Sequence, residues 1–427
     1  PGVLDGLHVT AGCALNAESA SDRIGGGLRL DETGEETVVR VQSCRFYGNV
    51  ANLGGAIGSR MRMICRDSLF EENSALPTTP PSGPGTTNGA GGAIFGTTTF
   101  DVVHCRFDGN EADGTGGAIV ISRGTALVEE GLEEPPPAGT EGPDGYPFWV
   151  TSSVFVGNQC SFTGPWRGGA IGVQYQAMLL ATNCVFQGNT APYGGAIGVT
   201  STLPLLEAQV VLTNCTLTGN FGGSSNGGVD SPTAQIANSI LFGNGTLGDP
   251  ECGSWETDEG IEVFDPDLCA QIGGVDPVNF HLSHPCVAGI SWAASFWTTS
   301  FGPGNIDLDP QFVDPASGDL RLAPGSAAIE AGDNLDIPAD VTDVNDNADM
   351  AEQLPWDIRR FVRVFGCDQV VDMGAYEWGG CTGDATGDGS VDGADIALLL
   401  GNWGSCQSAP CAGDLDCDGE VAGSDMA

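Results

Sequence analysis

Acidic side chains near the C-terminus recur at a spacing that can surround a metal ion. The segment 383–404 reads GDATGDGSVDGADIALLLGNWG, and 413–427 reads GDLDCDGEVAGSDMA. Ca²⁺ is held by oxygens that a loop of about 12 residues supplies from positions 1, 3, 5, 7, 9 and 12. The ligands predicted in the first loop are Asp384, Thr386, Asp388, the carbonyl of Ser390, Asp392 and Asp395. Those predicted in the second loop are Asp414, Asp416, Asp418, the carbonyl of Glu420 and Asp425.

The residues around these oxygens suit the same loop. Gly389 and Gly419 stand at the sharp turn of each loop. Ala422 occupies position 9 of the second loop, where a water molecule would have to substitute. The apolar stretch ADIALLLGNWG predicts a helix that ends at Gly401. The duplicated pattern predicts two Ca²⁺ sites, and the alternative is two acidic turns that bind no metal.

The rest of the chain must position these loops, and most of it is a repeat. A Phe-x-x-Asn motif occurs at Phe46/Asn49, Phe70/Asn73, Phe107/Asn110, Phe155/Asn158 and Phe186/Asn189, with weaker copies at Leu217/Asn220 and Leu241/Asn244. A Gly-Gly-Ala-Ile motif occurs at 54–57, 91–94, 116–119, 168–171 and 194–197. The shortest spacing between the Asn residues, 24, is the size of one turn of a parallel β-helix. The sequence therefore predicts an all-β solenoid followed by a small α module.

Stacked coils place equivalent residues on one another, about 4.8 Å apart. We predict an internal stack of the Phe rings and an amide-to-amide ladder of the Asn side chains. The small residues two places before each Phe are Cys44, Ser68, Cys105, Ser153, Cys184, Cys215 and Ser239. Because Cys exchanges with Ser in this column, these cysteines are predicted to be buried and reduced, and neither disulfide-bonded nor metal-bound.

The composition restricts the possible partners. The 427 residues include 66 Gly, 56 acidic residues and 14 Arg without Lys, for a net charge of −42. Contacts with phosphate need cations, so nucleic acid is not expected as a partner. There is no apolar run of about 18 residues, so we expect no membrane insertion. The chain opens in mid-pattern without a visible export signal, and we expect its natural N-terminus to lie upstream.

The paired Phe-x-x-Asn and Gly-Gly-Ala-Ile motifs resemble the repeat signature of bacterial polymorphic outer-membrane proteins. More broadly, they resemble right-handed parallel β-helix proteins of the pectin-lyase-like type, and this resemblance covers residues 1–330. The segment 304–378, ending in VDMGAYEWGG, resembles the closing portion of secreted β-helix proteins. This second resemblance implies that residues 331–380 form C-terminal coils and a cap. Lyases, hydrolases and adhesins all use this fold, so the resemblance does not choose a function.

The two acidic loops within 381–427 resemble an EF-hand-like type I dockerin. This resemblance implies Ca²⁺-dependent attachment to a cohesin-type or other surface scaffold partner. Thr386 replaces the usual Asn or Asp, and Gly393 and Ala394 replace a hydroxyl pair often used for recognition. The second helix is lacking, so we expect a truncated module. A disulfide among Cys406, Cys411 and Cys417 would suit an exported protein, extracellular or on a bacterial cell surface.

No catalytic set emerges from the sequence, which lacks an Asp-Asp pair and a Gly-His-Gly motif. The histidines are scattered at positions 8, 104, 281 and 284. His104 occupies the repeat position of Ser43, Asn183 and Asn214, which indicates a turn residue and not a catalytic one. The acidic stretch 340–352 has two interpretations, a further calcium site or a solvated loop.

These patterns favour a secreted or surface-attached β-helix that binds or displays toward polysaccharide or cell surfaces, anchored by the dockerin-like module. One alternative is a polysaccharide lyase or glycoside hydrolase acting on acidic plant or algal glycans. Another is a protein-binding adhesin. A lateral groove with three or more carboxylates and an Arg within reach would favour the enzyme, whereas a uniform groove lined by Asn and Thr would favour the binder.

Overall fold

The computed structural model shows a solenoid of stacked parallel sheets. It describes residues 2–15, 23–31, 37–77, 89–122, 147–174, 177–200, 209–224, 226–246, 254–257, 260–263, 266–273, 280–291, 302–364, 369–379, 383, 385–386, 391–406, 413, 420–423 and 425. Four long sheets run along the molecule, and in each of them every strand pairs in parallel with the equivalent strand of the next coil. The predicted all-β parallel β-helix is confirmed.

The strands of one coil belong in turn to four sheets, named A to D. Sheet A contains Gly2–Asp5, Val39–Gln42, Met63–Arg66, Phe100–Val103, Phe148–Thr151, Met178–Thr182, Gln209–Thr213, Ala234–Ala237 and Phe280–Ser283. Sheet B contains His8–Thr10, Arg45–Tyr47, Leu69–Glu71, Arg106–Asp108, Val154–Val156, Val185–Gln187, Thr216–Thr218, Ile240–Phe242 and Cys286–Val287. Sheet C contains Val50–Ala51, Ser74–Ala75, Glu111–Ala112, Gln159–Cys160, Thr190–Ala191, Phe221–Gly222 and Gly245–Thr246. Sheet D contains Leu28–Leu30, Ile57–Ser59, Ile94–Gly96, Ile119–Ser122, Ile171–Gln174, Ile197–Thr200, Val229–Asp230 and Ile272–Gly273.

The remaining described elements are short. Antiparallel pairs join Ser254–Thr257 to Gly260–Val263, Phe312–Asp314 to Asp319–Leu322, and Gly404–Ser405 to Glu420–Val421. The helices are α1 (Pro266–Gln271) and α2 (Gly393–Gly401), with a 3₁₀ turn at Asn334–Asp336.

The repeat motifs are explained by the turns between sheets. The first glycine of the tetrapeptide, such as Gly54 with φ of 64°, adopts a left-handed conformation that favours Gly. At the second glycine, Gly55, a Cβ would lie 2.1 Å from the carbonyl oxygen of Gly92 in the next coil. The chain therefore needs two glycines for two reasons, a backbone conformation and a close approach between coils.

Two internal columns hold the coils in register. The rings of Phe46, Phe70, Phe107, Phe155 and Phe186 stack with centroids 4.7–5.0 Å apart. The Asn side chains form a continuous ladder in which each Nδ2 donates to the next Oδ1 at 2.8–2.9 Å. At its end, Asn244 donates to Gln271 of α1 at 2.6 Å. Both predicted stacks are confirmed, and α1 closes the ladder.

The small-residue column shows why Cys and Ser exchange. The thiol of Cys44 donates to the carbonyl of Gln42 at 3.1 Å, and the hydroxyl of Ser68 donates to the carbonyl of Arg66 at 2.8 Å. Both side chains thus make the same bond to the residue two places earlier. The cysteines at 44, 105, 184 and 215 are buried free thiols, as predicted. Burial raises the pKa of the Cys184 thiol well above its ordinary value, which keeps it protonated.

The segment after the last coil lies against the side of the solenoid. Strands of sheets A and B end at Ser283 and Val287, and one parallel bridge joins Cys286 to Ile306. Residues 302–364 and 369–379, here the strap, form no further coils in their described part. Instead they run along the outside of sheet B. The described strap residues thus form a lateral cover, and the boundaries predicted at residues 330 and 380 stay predictions.

The strap covers apolar side chains that point outward from sheet B and that would otherwise be exposed to water. Val185 packs against Leu320 and Ala375 of the strap. Ile240 packs in the same way in a cluster with Leu322 and Met373. Exposed rows of Val and Ile on a sheet are unfavourable in water, and each buried side chain of this kind contributes about 1.5–3 kcal/mol. The strap therefore covers the apolar half of sheet B.

Polar residues at the A–B turn bind the backbone of the strap. Asn183, Asn214 and Asn238 all have positive φ, and their amides donate to the carbonyls of Trp356, Asp372 and Asp333 at 3.1, 3.4 and 2.9 Å. In an earlier coil, Arg66 donates to the carbonyls of Thr342 and Asp343 at 2.6 and 2.9 Å. The turn column thus serves as a row of docking points.

Candidate functional site

The first candidate for chemistry is the pair of acidic loops. Of the predicted ligands, the structure describes five: Thr386, Asp392, Asp395, Glu420 and Asp425. Asp384, Asp388, Ser390, Asp414, Asp416 and Asp418 lie outside the described residues. The helix predicted after the first loop is confirmed, and it ends at Gly401. The remaining question is how the five described residues are arranged.

Asp392 and Asp395 form a reciprocal cap at the start of α2. The Asp392 carboxylate accepts from the backbone N–H of Ala394 at 2.7 Å. The Asp395 carboxylate accepts from the N–H of Asp392 at 2.6 Å and from the N–H and hydroxyl of Thr386, both at 3.0 Å. Although burial alone would raise the pKa of Asp395, these hydrogen bonds lower it, so the group stays ionised.

The second loop repeats this arrangement at its last predicted ligand. Asp425 accepts from the N–H of Ala422 at 2.7 Å, three residues earlier, as Asp395 does from Asp392. The two carboxylates are 1% and 3% exposed. Buried carboxylate oxygens in two equivalent positions are a donor set that suits Ca²⁺. The described residues supply three of the six ligands predicted for the first loop and two of the five predicted for the second, and their oxygens are of the kind that Ca²⁺ binds.

One disulfide lies near these loops. Cys406 follows the strand Gly404–Ser405 and is disulfide-bonded, with a partner outside the described residues. A bond at one of the three predicted cysteines is thus confirmed, while its pairing stays a prediction. Cys286, near the end of the solenoid, is a buried free thiol.

The acidic stretch 340–352 satisfies its oxygens internally. Asp340 accepts from the N–H of Val344 at 3.0 Å, and Asn345 and Asn347 both donate to Glu352 at 2.7 Å. Asp346 pairs with Arg66 at 2.9 Å. Within the described residues, this stretch does not bring three acidic ligand groups close together. The arrangement favours the solvated-loop interpretation of 340–352.

The second candidate is the part of sheet B that the strap leaves open. Three successive strands, Arg45–Tyr47, Leu69–Glu71 and Arg106–Asp108, present their outward side chains here. We call this surface the open strip. The next strand begins with Val154, the register partner of Arg106, and Val154 already packs against the strap. The strip therefore ends where the strap begins.

The open strip combines cations, carboxylates and one aromatic ring. Arg45 Nε lies 2.5 Å from Glu71 Oε2, and Arg106 Nη2 lies 2.9 Å from Asp108 Oδ2. The Arg45 guanidinium lies 5.4 Å from the centre of the Tyr47 ring, which is 41% exposed. A hydrogen bond to Glu72 raises the pKa of Tyr47, so its hydroxyl stays protonated. The strip thus offers charged and neutral hydrogen-bonding groups beside a ring that can stack on a ligand.

The edge of the strap continues this chemistry. Arg359 donates to Asp357 at 2.8 Å, and its guanidinium lies 4.5 Å from the ring centre of Phe361 and 5.7 Å from that of Tyr376. Burial raises the pKa of Tyr376. The positive charge of Arg106 in the strip also acts on Tyr376, so this aromatic and guanidinium cluster lies close to the strip.

Nothing in the described part of the strip resembles an acid–base pair poised for catalysis. Its register-paired carboxylates, Glu71 and Asp108, are each engaged by an arginine. His104 sits at the turn position that the repeat predicts, with φ of 50°. Burial, with a contribution from Arg360, lowers its pKa to about 4, so it is neutral near pH 7. Asp372 and Glu377, whose pKa values are raised by burial, are buried residues of the strap itself.

The comparisons with known proteins do not assign this chain to a family. No protein-family model matches the chain, and a search of curated proteins found no significant match. The pectin-lyase-like, polymorphic outer-membrane and dockerin-like assignments therefore stay resemblances of motif. Among the described residues, no helix has the length and apolar character needed to cross a bilayer.

Sequence reasoning missed the open strip and the strap that defines it. A signal was present, because the outward positions of sheet B change along the chain from Arg45, Leu69 and Arg106 to Val154 and Val185. A charged outward column faces water, whereas an apolar one needs a cover. Reading the outward column coil by coil would have indicated both surfaces.

Proposed function

We propose that this protein is a surface-attached β-helix that binds a polysaccharide chain along the open strip. The observation that carries the proposal is the strip itself, two outward columns on three successive coils that contain Arg45, Leu69 and Arg106, and Tyr47, Glu71 and Asp108. Equivalent side chains in neighbouring coils are about 4.8 Å apart. A surface that repeats in steps along a rod suits a ligand that also repeats, and a sugar polymer is such a ligand.

The charge distribution favours a neutral polysaccharide. The chain has a net charge of −42, which repels polyanions in the absence of bridging cations. The guanidinium groups of the strip are neutralised by carboxylates, so the strip offers no free excess of positive charge. Paired Arg and carboxylate groups still provide N–H donors and oxygen acceptors for sugar hydroxyls, and Tyr47 provides an apolar face.

We further propose that the C-terminal loops attach the solenoid to a scaffold in a Ca²⁺-dependent way. The two buried, equivalently bonded carboxylates Asp395 and Asp425 support calcium binding. Bound Ca²⁺ would add positive charge between oxygens that repel one another, and so would order the loops. A partner of the cohesin type follows only from the dockerin-like resemblance.

A binding measurement tests the polysaccharide proposal. The full chain, with millimolar Ca²⁺ present, is titrated calorimetrically with soluble neutral polysaccharides and with an acidic one for comparison. Tyr47→Ala and Arg106→Ala are expected to weaken binding by about tenfold, the loss of one stacking or charged contact. Phe162→Ala is the matched control, because Phe162 is 51% exposed and lies outside the strip.

The outcomes separate the candidate functions. Binding to a neutral polysaccharide that is weakened by the strip variants and not by the control supports the proposal. Equal binding by all variants would overturn the strip as the site. Release of reducing ends, or of products absorbing as a 4,5-double bond, would replace the binder with the glycan-degrading enzyme.

A further inference from the structure

A histidine and two aspartates meet where the strap crosses the last coil. His284 follows the final strand of sheet A, whereas Asp333 caps the short 3₁₀ turn of the strap and Asp336 is its last residue. One ligand atom from each of the three side chains lies within 4.8 Å of the other two. All three side chains are partly exposed, so an ion can reach them from solvent.

The surrounding contacts fix which atoms face one another. The Cδ2 edge of the His284 ring abuts Gly304, where an added Cβ would lie 1.8 Å from Cδ2. On the other edge of the ring, Nδ1 lies 3.8 Å from Asp336 Oδ2. The Ser283 hydroxyl lies 3.1 Å from Nδ1 and donates to Asp336 Oδ2 at 2.7 Å. Asp333 is held by the N–H of Leu335 on one carboxylate oxygen, at 2.9 Å.

The backbone on both sides of the cluster is also fixed. Asn238 donates to the carbonyl of Asp333 at 2.9 Å and accepts from its N–H at 2.8 Å. The N–H of His284 donates to the carbonyl of Pro303 at 2.9 Å. Side chains whose own positions are set by such bonds form ligand sets that need little rearrangement.

We propose that His284, Asp333 and Asp336 bind a divalent transition-metal ion that ties the strap to the solenoid. One imidazole nitrogen with two carboxylate oxygens suits Zn²⁺, Mn²⁺ or Co²⁺ better than Ca²⁺, which prefers oxygen alone. Ligands on tetrahedral Zn²⁺ lie about 3.3 Å apart, given bonds of about 2.0–2.1 Å. Nδ1 and Oδ2 need to approach by about 0.5 Å to reach that separation. Three protein ligands leave a further position for water or for the Ser283 hydroxyl.

The ion has a structural consequence that calcium in the C-terminal loops does not share. Its ligands come from two segments that are 49 residues apart in sequence, His284 and Asp333. Binding therefore stabilises the docked strap against detachment, by linkage between metal binding and folding. The site lies at the opposite end of sheet B from the open strip, so it is independent of polysaccharide binding.

The test uses the full chain with millimolar Ca²⁺ present, which occupies oxygen-only sites. Zn²⁺ is titrated calorimetrically, and Co²⁺ is titrated in parallel to record its visible absorption. His284→Ala is expected to weaken the tightest Zn²⁺ site by about 100-fold or more and to abolish the Co²⁺ bands. Asp336→Asn keeps an oxygen for Ser283 but removes the charge, and it is expected to weaken binding by about tenfold.

His281→Ala is the matched control, because His281 is an exposed histidine of the same final strand. Zn²⁺ is expected to raise the thermal unfolding midpoint of the wild type and of His281→Ala, but not that of His284→Ala. Zn²⁺ affinity that is equal in the wild type and both cluster variants would overturn the proposal, as would a wild type that binds no Zn²⁺. If His284→Ala does not fold, Asp336→Asn decides between these results.

Discussion

Replacing one residue of the asparagine ladder tests the physical basis of the solenoid. Asn110 lies in the middle of the stack and is fully buried. Its Oδ1 accepts from the backbone N–H and the side-chain amide of Asn73 at 3.1 and 2.9 Å. Its Nδ2 donates to Asn158 Oδ1 at 2.9 Å and to the carbonyl of Phe70 at 3.0 Å. Asn110→Ala removes all four bonds.

The expected loss in the free energy of unfolding follows from the N–H donors that are left without acceptors. In Asn110→Ala, the backbone N–H of Asn73 and one of its amide N–H groups lose their partner in a dry interior. Each buried unsatisfied group costs about 1–3 kcal/mol, so the free energy of unfolding should fall by about 2–6 kcal/mol. Exposed Asn347 donates to Glu352 at 2.7 Å, and Asn347→Ala should cost less than about 1 kcal/mol.

The assay is urea unfolding of the full chain, monitored by circular dichroism. The midpoints of two variants are compared only when the free energy of unfolding changes with urea concentration by the same slope in both. Asn110→Leu distinguishes hydrogen bonding from packing, because Leu fills a similar volume but cannot accept from Asn73. The Leu variant should be as unstable as the Ala variant. Wild-type stability in either variant would refute the reasoning that the ladder's hydrogen bonds hold the coils in register.

Three further predictions concern the turns, the strap and the loops. A Cβ at Gly117 would lie 2.1 Å from the carbonyl oxygen of Gly169, so Gly117→Ala should destabilise the fold by more than about 2 kcal/mol in urea unfolding. Gly109→Ala is the milder control, because nothing lies within 4 Å of an added Cβ and only the left-handed φ of 59° is unfavourable. Burial raises the pKa of Asp372 from 3.8 to about 7, so its stabilising contribution is complete below the unfolded pKa and is lost as pH rises through about 7. The difference in stability between wild type and Asp372→Asn should therefore shift by up to roughly 4 kcal/mol between about pH 4 and pH 8, and a pH-independent difference would contradict the burial of that carboxyl. Asp395→Ala should remove one of two equivalents of bound Ca²⁺ in calorimetry, with exposed Asp349→Ala as the control, and two equivalents in the variant would contradict the assignment.

The inward columns of the fold were predictable because each coil repeats the same residue types. Phe107 and Asn110 recur at fixed positions, and stacking alone then implies a ring stack and an amide ladder. The exchange of Cys44 for Ser68 likewise predicted reduced thiols, since both side chains bond to the same kind of carbonyl. Local repetition therefore determines the core of this protein.

The strap was not predictable from the repeat, because its contacts depend on residues distant in sequence. Trp356 meets Asn183, and Asp333 meets Asn238, through hydrogen bonds to backbone groups that any residue type possesses. Only the apolar character of outward residues such as Val185 signals a cover, without saying which segment provides it. The cluster at His284 was not predicted for the same reason, because its two aspartates belong to the strap, whose position the repeat does not indicate.

The most direct test of a polysaccharide-binding strip is a hydrogen-exchange footprint of the full chain with and without a neutral polysaccharide. Slower exchange is expected in the strands Arg45–Tyr47, Leu69–Glu71 and Arg106–Asp108 and in the strap near Phe361. The covered strands Val185–Gln187 and Thr216–Thr218 should not change. Protection confined to another surface, or no protection when the polysaccharide is bound, would contradict the open strip as the binding site.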